Sequence, residues 1–470
     1  MKRRKTVKKL RFLLALWAAK LSIPALKITR HQGTDFPGVL AVKLCPDLLR
    51  YMGRPKTIVA VTGTNGKTTV SNLLIDVLEA SGKRVMCNRA GANIISGIAT
   101  AYIKSCTLTG RIKNFDIAVL EVDERSSVRV YPYVTPDYVV VTNLFQDSIM
   151  RNAHPGFIAE LISRSLPGSA KMILNADELI SGGICPDNSR VYFGIGPMKS
   201  DVKECINLQN DMRICPRCSG KLRYDYLRYH HVGRAVCCDC GFEAPRAEYL
   251  AQNVDFEKGT MQVCEAGKTY DYPLITDSIF NAYNLITVIA ALRELGMEHT
   301  QISALMAKTE IPATRHYKEQ VGKVQLIRQM SKENNTIAGS RAFDYVAGRP
   351  GRKELIMMMN SLSDTGTWSE NTAWLWDTDF EFLNRDDVAR VVFTGPRRMD
   401  YKLRALLAGI DESRIVCVED EMDAPEKLDY TPGEDIYLLY GTDSLTQAFR
   451  LYDKLKSTAQ AHGEKQEGAR

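Results

Sequence analysis

A glycine-rich segment with the residues needed to bind phosphate occupies positions 63–69, where the sequence is Gly63-Thr64-Asn65-Gly66-Lys67-Thr68-Thr69. Residues 57–62 are mostly apolar and β-branched, which predicts a strand, and residues 70–80 carry apolar side chains at helical spacing. Between a strand and a helix, glycine N–H groups and the helix N-terminus hold phosphate oxygens, while Lys67 reaches the terminal phosphates and Thr68 binds Mg²⁺. The segment therefore predicts a nucleoside triphosphate site, against the simpler alternative of a glycine turn that begins a helix.

The loop is shorter than the general P-loop, because only two residues separate Gly63 from the Gly66-Lys67 pair where the general pattern has four. This shortened loop resembles that of the Mur ligase family, whose members use ATP to join an amine to a carboxylate through an acyl phosphate. The resemblance implies that ATP is bound by all seven residues from Gly63 to Thr69 and that Lys67 is catalytic.

Three further positions follow from the same resemblance. Glu121 comes after the apolar run 116–120, at the end of a predicted strand, where α/β folds place ligands. The resemblance implies that Glu121 is catalytic and holds Mg²⁺ together with Thr68. It also implies that Asn281, at the start of a predicted helix, lies near the adenine, and that Arg315 is an ATP-binding hinge residue ahead of a C-terminal domain.

Two Cys-x-x-Cys knuckles lie in the middle of the chain and supply four thiol ligands, Cys215, Cys218, Cys237 and Cys240. Paired knuckles about twenty residues apart are typical of a tetrahedral zinc site. Four thiolates leave no open position on the metal, so we predict a structural zinc and not a catalytic one. Cys238 could replace Cys237, although the two-residue spacing favours Cys237.

Two neighbouring histidines, His230 and His231, are alternative zinc ligands. Because four cysteines suffice, we expect both histidines to be exposed loop residues. No histidine pair follows the second knuckle, which argues against a nucleic-acid zinc finger. The other cysteines lack knuckle spacing and are typical of free thiols in a reducing cytosol.

A Mur ligase core that contains a four-cysteine insert resembles the MurT branch of the family. Segments 33–38 and 46–49 match its N-terminal part, and segment 374–381 matches its C-terminal domain. The resemblance implies ATP-dependent amidation of the D-glutamate α-carboxyl in the lipid II stem peptide, which gives D-isoglutamine. It also implies a heterodimer in which a GatD-like glutamine amidotransferase subunit supplies the ammonia.

One catalytic position departs from the MurT pattern. The branch has an aspartate shortly before a tryptophan-rich strand, here around Trp374, and this aspartate completes the Cys-His pair of the glutaminase. In this chain the position is Asn371, whose amide accepts a hydrogen bond from an imidazole but brings no charge to stabilise the imidazolium. Asp364 is the alternative residue for the role. The departure leaves open a diverged paralogue, a Mur-type ligase that uses another amine, and a non-catalytic nucleotide-binding scaffold.

Alternating predicted strands and helices indicate an α/β fold. We expect an N-terminal segment over residues 1–55, a doubly wound, Mur ligase-like ATPase domain over 56–310 with a zinc-ribbon insert at about 205–247, a smaller α/β C-terminal domain over 311–456 and a tail over 457–470. The tail is polar and low in aromatic residues, which predicts disorder. The methionine run at 357–359 is predicted to be a buried strand.

The chain has 470 residues, of which 45% are hydrophobic and 25% charged, as in ordinary soluble proteins. Its formal net charge is +7, and basic residues crowd the first eleven positions. The apolar run 12–19 imitates a signal peptide, but Lys20 interrupts it and no small-residue cleavage site follows. We expect a cytoplasmic protein whose basic N-terminal helix either packs on the core or touches the anionic inner leaflet, where a lipid-linked substrate lies.

Overall fold

The structure, a computed structural model, describes residues 2–28, 35–89, 92–147, 154–309, 316–331, 335–359, 372–441 and 444–468. The chain divides into two compact units. Unit 1 comprises Met1–Phe145, Pro155–Cys205 and Asp211–Ile311, and unit 2 comprises Gln146–His154, Ile206–Asn210 and Pro312–Arg470.

The strands of unit 1 are β1 Thr57–Thr62, β2 Val85–Cys87, β3 Ile117–Glu121, β4 Tyr138–Val141, β5 Lys171–Asn175, β6 Arg190–Ile195, β7 Leu222–Tyr229, β8 Val232–Cys237, β9 Tyr249–Asp255, β10 Thr260–Glu265 and β11 Lys268–Pro273. A nine-stranded sheet has the order β11-β10-β9-β6-β5-β4-β1-β3-β2. It is parallel from β2 to β9, and β10 and β11 extend one edge in antiparallel pairing. Strands β7 and β8 form a separate antiparallel hairpin.

The helices of unit 1 are α1 Lys2–Ile28, α2 Phe36–Leu44, α3 Lys67–Ala80, α4 Ile95–Ser105, α5 Ser127–Val130, α6 Pro155–Ser165, α7 Leu179–Gly182, α8 Ile279–Glu294 and α9 His299–Met306. Strand β1 pairs with β3 on one side and β4 on the other, so the strand order changes direction at β1. In open parallel sheets, ligands bind at the carboxyl ends of strands at such a switch point. The loop after β1 is therefore the expected ligand site.

The N-terminal helix α1 is part of the unit 1 core. Its residues Phe12, Ala15, Leu16 and Ala19 are buried in the same apolar cluster as Ile58 of β1. The alternative in which this helix packs on the core therefore holds for one of its faces. Among the described residues, no helix combines the length and the apolarity needed to cross a bilayer.

The described residues of unit 2 form strands β12 His316–Val321, β13 Val324–Met330, β14 Lys353–Met358, β15 Val388–Thr394, β16 Ile415–Val418 and β17 Asp435–Tyr440. Its helices in the same residues are α10 Thr336–Ala347, α11 Ala373–Asp377, α12 Arg398–Leu407 and α13 Leu445–Gly468. Its sheet has the order β12-β13-β17-β14-β15-β16 and is parallel except for β12. Every residue of β14 is buried, which confirms the prediction of a buried strand in the methionine run.

Two sequence-based expectations for unit 2 differ from the structure. The tail predicted to be disordered from Ser457 belongs to helix α13, which runs to Gly468. Its polar composition hid its continuity with the preceding part of α13, whose buried residues Leu451 and Leu455, together with Ala459 in the tail, pack on the sheet. Trp374 lies in a short helix, α11, and not in a strand. Trp374 is buried there, so its apolar side chain packs in the core from a helix as it would from a strand.

Candidate nucleotide site

The predicted phosphate-binding loop lies between β1 and α3, at the switch point of the sheet. Gly63 and Gly66 both have positive φ angles, 127° and 86°, which glycine adopts without the strain of a Cβ atom. A Cβ atom on Gly66 would also lie 2.3 Å from Oδ1 of Asn284. Both glycines are therefore required by the loop's conformation and by its close packing.

The residues that follow β4 hold the tip of this loop. The Thr64 N–H donates to the Asn143 carbonyl at 2.8 Å, and the Asn65 N–H donates to Asn143 Oδ1 at 3.0 Å. The Thr142 hydroxyl donates to the Asn65 carbonyl at 2.6 Å. Sequence analysis assigned no role to Thr142 and Asn143, although their position after a predicted strand was a usable signal. These hydrogen bonds fix the loop's shape.

Lys67, the first residue of α3, is buried with its ammonium group inside the loop. Nζ donates to the Gly63 carbonyl and lies 2.8 Å from Glu124 Oε1. Burial disfavours the charged ammonium, but the attraction of Glu124 outweighs burial and raises the pKa of Lys67. Lys67 is therefore held as a cation. Glu124 was missed by sequence analysis, because nothing in its spacing shows that it faces the loop.

Glu121 ends β3 beside the first turn of α3. Its Oε1 accepts hydrogen bonds from the Thr68 hydroxyl at 3.1 Å and from Asn93 Nδ2 at 3.0 Å. Glu124 is neutralised by Lys67, whereas Glu121 has no ion pair among the residues that the structure describes. A hydroxyl and an unpaired carboxylate side by side are oxygen donors of the kind that Mg²⁺ prefers. The site fits the predicted Thr68 and Glu121 pair.

The structure describes some of the other predicted site residues and leaves others outside the described ranges. Thr69 is buried in the first turn of α3. Asn281 lies in the first turn of α8, and its Oδ1 accepts a hydrogen bond from Asn284 Nδ2 at 3.0 Å. Asn284 in turn packs against Gly66, so this asparagine pair lies beside the loop. Arg315, Asn371 and the alternative Asp364 lie outside the described residues.

The four predicted zinc ligands converge, with all four sulfur atoms within 4.8 Å of one another. Sγ of Cys215 lies 3.7 Å from that of Cys240, and Sγ of Cys218 lies 3.5 Å from that of Cys237. Four sulfurs about 2.3 Å from a tetrahedral zinc would lie about 3.8 Å apart. The cluster therefore fits zinc. Cys238 is exposed and is not in the cluster, which agrees with the preference for Cys237.

Backbone N–H groups point at the sulfur atoms, as in metal-binding knuckles. The Arg217 N–H donates to Cys215 Sγ at 3.3 Å, and the Asp239 N–H donates to Cys237 Sγ at 3.3 Å. Such bonds stabilise the thiolate form that binds metal. The arrangement is therefore suited to a closed structural site.

The turn between β7 and β8 packs against the residues after β4 that hold the phosphate-binding loop. His231 Nε2 lies 3.0 Å from Glu178 Oε1, and Glu178 Oε2 accepts the Leu144 N–H at 2.9 Å. The rings of His231 and Phe145 are 4.6 Å apart, and the Phe145 N–H donates to the Thr64 hydroxyl at 3.0 Å. The hairpin that carries Cys237 at one end thus touches the loop's support at the other.

This packing corrects the expectation that His230 and His231 are exposed. Both are 1% exposed, and neither is part of the cysteine cluster. Burial disfavours the charged form of Glu178, but its hydrogen bond with His231 outweighs burial and lowers the pKa of Glu178. The two histidines are therefore structural residues of unit 1, which the polar sequence around them concealed.

Comparison with known proteins identifies both units. A family model of the Mur ligase middle domain matches residues 61–154, and a model of the MurT ligase C-terminal region matches residues 333–442. Among solved structures, a pseudomurein peptide ligase type C from Methanothermus fervidus has a TM-score of 0.65 at 21% identity and covers 87% of this chain and 81% of its own. MurF from Acinetobacter baumannii has a TM-score of 0.63 at 14% identity, with 89% and 80% covered. These structures establish a Mur ligase fold.

Proteins related in sequence identify the branch of the family more narrowly than the solved structures do. The protein named lipid II isoglutaminyl synthase (glutamine-hydrolyzing) subunit MurT from Staphylococcus aureus strain COL is 30% identical over 411 residues, which are 86% of this chain and 89% of that protein. The protein of the same name from Streptococcus pneumoniae strain R6 is 28% identical over 389 residues, with 82% and 84% covered. With this likeness along nearly the whole chain, the protein belongs to the MurT family of Mur ligases.

Proposed function

We propose that this chain is the ATP-dependent synthetase subunit of a lipid II isoglutaminyl synthase. It converts the α-carboxyl of D-glutamate in the lipid II stem peptide into an amide and so makes D-isoglutamine. The observation that carries the proposal is the hydrogen bond between Thr68 and Glu121 at the phosphate-binding loop, next to buried Lys67, in a chain of the MurT family.

In the first step, the substrate carboxylate attacks the γ-phosphorus of ATP, an acyl phosphate forms and ADP leaves. The N–H groups of the loop from Gly63 to Thr69 hold the phosphates, and Lys67 stabilises the negative charge that spreads over the transferring phosphoryl group. Thr68 and Glu121 would hold Mg²⁺, which neutralises phosphate charge when bound. Glu124 keeps Lys67 charged and oriented, which makes Glu124 a positioning residue.

In the second step, ammonia attacks the acyl carbon, the carbon–oxygen bond to phosphate breaks and an amide remains.

Asn281 lies beside the loop through Asn284, which supports its assignment near the adenine. The proposed ammonia source is a GatD-like glutamine amidotransferase subunit in a heterodimer. The names of the S. aureus and S. pneumoniae relatives, which include "glutamine-hydrolyzing" and "subunit", support a second chain with glutaminase activity.

Mass spectrometry of the product tests this proposal. The full chain is incubated with lipid II and ATP, first with ammonium and then with glutamine, with and without a candidate glutaminase subunit. Amidation replaces a carboxyl oxygen with nitrogen and lowers the peptide mass slightly, whereas ligation of an amino acid adds a residue mass. An added residue would favour a Mur-type ligase with another amine, and no ATP-dependent product would favour a nucleotide-binding scaffold.

A prediction concerns Asn371, where the MurT pattern has an aspartate. If Asn371 occupies that position, the histidine of the partner glutaminase lacks an anionic orienting group, and loss of such a group costs orders of magnitude in related triads. We expect glutamine-driven turnover to be slow relative to ammonium-driven turnover, and Asn371→Asp to raise the glutamine-driven rate selectively. Initial rates with each nitrogen source measure this effect.

Asp364→Ala is the control for the Asn371 experiment. If the unaltered chain uses glutamine as well as ammonium and Asp364→Ala abolishes that use, Asp364 is the functional residue. If neither substitution changes the rates and glutamine never serves, the chain is a diverged paralogue with a different amine donor.

We propose further that Cys215, Cys218, Cys237 and Cys240 bind one structural zinc ion. The sulfur separations of 3.5 and 3.7 Å and the N–H groups directed at the sulfurs support this assignment. A zinc ion in this position would stabilise the end of the β7–β8 hairpin that carries Cys237. It would thereby support the His231 and Phe145 packing at the other end.

Replacement of one zinc ligand has a specific expected result. Cys215→Ser should lower the zinc content of the purified protein, destabilise the insert and weaken ATP binding, by about tenfold or less, because the loop's own hydrogen bonds remain. Metal analysis and ATP titration measure the two effects. Cys238→Ser is the matched control, since Cys238 is exposed outside the cluster. Zinc-free protein purified without chelator would refute the assignment.

A further inference from the structure

Helix α1 has apolar side chains on two opposite faces. One face, formed by Phe12, Ala15, Leu16 and Ala19, is buried in the core of unit 1. On the other face, four large apolar residues point outward, Leu10, Leu14, Trp17 and Leu21, with exposed fractions of 56, 55, 43 and 72%. Their spacing of three or four residues places them in one line along the helix. At 1.5 Å per residue this outer stripe is about 17 Å long.

Hydrogen bonds fix the orientation of α1, so the outer stripe cannot rotate into the core. The Arg11 guanidinium donates to the Leu44 carbonyl at 2.6 Å, at the end of α2. The Lys20 ammonium donates to the carbonyls of Ile103 and Cys106 at 2.6 and 2.8 Å, at the end of α4. Both cations cap helix C-termini, where positive charge is favourable. The outer stripe therefore belongs to a helix that is firmly held on unit 1, and its exposed position is fixed.

The outer stripe extends onto a neighbouring loop. The Trp17 indole N–H donates to the Leu108 carbonyl at 2.9 Å, and the Leu108 side chain is 65% exposed. The Leu108 carbonyl thus pairs the indole N–H, while the Trp17 side chain stays 43% exposed. Contiguous exposed apolar surface of this kind marks an interaction site.

The charge of the N-terminal segment, residues 1–34, indicates what kind of surface the outer stripe binds. Residues 1–34 contain ten lysines and arginines and no acidic residue; the first is Asp35. Those ten charges exceed the net charge of +7 of the whole chain, so the rest of the chain is slightly acidic. Lys8, Lys9 and Arg11 are exposed on the same helix, on sides other than that of the outer stripe. A linear apolar stripe with concentrated positive charge is the pattern of a helix that lies in the surface of an anionic bilayer.

We propose that the outer stripe of α1 docks on an anionic membrane surface. Leu10, Leu14, Trp17 and Leu21 enter the headgroup region, and the basic residues bind lipid phosphates. Binding itself does not require ligase activity, but its use, which is to bring the nucleotide site of unit 1 to a lipid-linked substrate, rests on the function proposed above. The helix lies on the bilayer and does not cross it.

Vesicle sedimentation tests the docking surface with the full chain. We expect binding to vesicles of phosphatidylcholine with phosphatidylglycerol, much weaker binding to phosphatidylcholine alone, and loss of binding as salt rises. Leu14→Ser and Trp17→Ser should each weaken binding by roughly tenfold, because each removes apolar area that enters the membrane. Lys8→Ala and Lys9→Ala should each weaken it by about fivefold.

Leu403→Ser and Leu407→Ser on α12 are matched controls, since both leucines are half or more exposed in unit 2. They should leave vesicle binding unchanged. All variants replace exposed side chains, so thermal unfolding should shift little, and the salt dependence of the unaltered chain tests the proposal without any variant.

Absence of binding to anionic vesicles would overturn the proposal, as would equal binding by the Leu14→Ser variant. A stable dimer or a complex with the glutaminase subunit that Trp17→Ser disrupts would mean that the stripe is a protein interface, which also overturns it. The test is separate from the proposed function. If vesicles bind but lipid II is not amidated, the ligase proposal fails alone; if a water-soluble muropeptide is amidated without vesicle binding, docking fails alone.

Discussion

Lys67→Ala is expected to lower ATP-dependent product formation by roughly a thousandfold or more. Lys67 is the buried cation of the phosphate-binding loop, with Nζ against the Gly63 carbonyl and 2.8 Å from Glu124. Its charge acts where negative charge develops on the transferring phosphoryl group, so its loss affects the transition state more than ATP binding. The measurement is the initial rate of ADP release in the presence of lipid II and ammonium.

The control for this variant has to separate chemistry from folding. Removal of Lys67 leaves Glu124 buried without its partner, which destabilises a protein by a few kcal/mol in comparable cases. The double variant Lys67→Met, Glu124→Gln removes both charges and keeps the volume, so it should regain stability but not activity. Lys83→Ala replaces an exposed lysine just beyond α3 and should be silent. A Lys67→Ala protein with undiminished turnover would overturn the site assignment.

Glu121→Ala is expected to abolish ATP-dependent turnover to a similar degree. Glu121 is the carboxylate beside Thr68, with which it shares a 3.1 Å hydrogen bond, and it lacks an ion pair among the described residues. Its charge is therefore available to hold Mg²⁺ against the phosphates. We expect the variant to retain its fold and to need far more magnesium for any residual rate. Magnesium titration of the initial rate measures this.

Glu121→Gln refines the same experiment, because the amide oxygen still accepts hydrogen bonds from Thr68 and Asn93 but carries no charge. If Glu121 holds the cation, Glu121→Gln should be almost as inactive as Glu121→Ala. Activity close to that of the unaltered chain would mean that Glu121 only orients its neighbours. Glu79→Ala, at the exposed end of α3, is the matched control.

The sequence predicted the glycine-rich loop between a strand and a helix because its signals are local. Gly63, Gly66 and Lys67 are close together in the chain, and the strand and helix around them have clear periodicity. The structure has β1 at Thr57–Thr62, as predicted, and α3 begins at Lys67. The cysteine cluster was predictable for the same reason, since each knuckle is a short fixed spacing.

The residues that support the site could not be predicted, because they approach the loop from distant parts of the chain. Glu124 is 57 positions from Lys67, and His231 meets Glu178 across 53 positions. No periodicity or spacing links such pairs, and the polar character of His230 and His231 suggested exposure although both are buried. Only the sheet order, which places β1 between β3 and β4, brings the supporting segments together.

Polarity also misled the prediction at the C-terminal end of the chain. Residues 457–468 read as a polar tail, yet they continue helix α13, in which Ala459 is buried one helical turn after Leu455. For α1 the sequence left core packing and membrane contact as alternatives. The structure shows that its buried and exposed apolar faces are opposite each other, a distinction that needs the helix to be docked.

Transfer of a heavy-oxygen label most directly tests the claim that this site activates a carboxylate by phosphorylation. The α-carboxyl of D-glutamate in lipid II is labelled, and the full chain is supplied with ATP, magnesium and ammonium. If an acyl phosphate forms, one labelled oxygen appears in inorganic phosphate and the product is the amide. Amide product with unlabelled phosphate, or phosphate release without amide, would contradict the account.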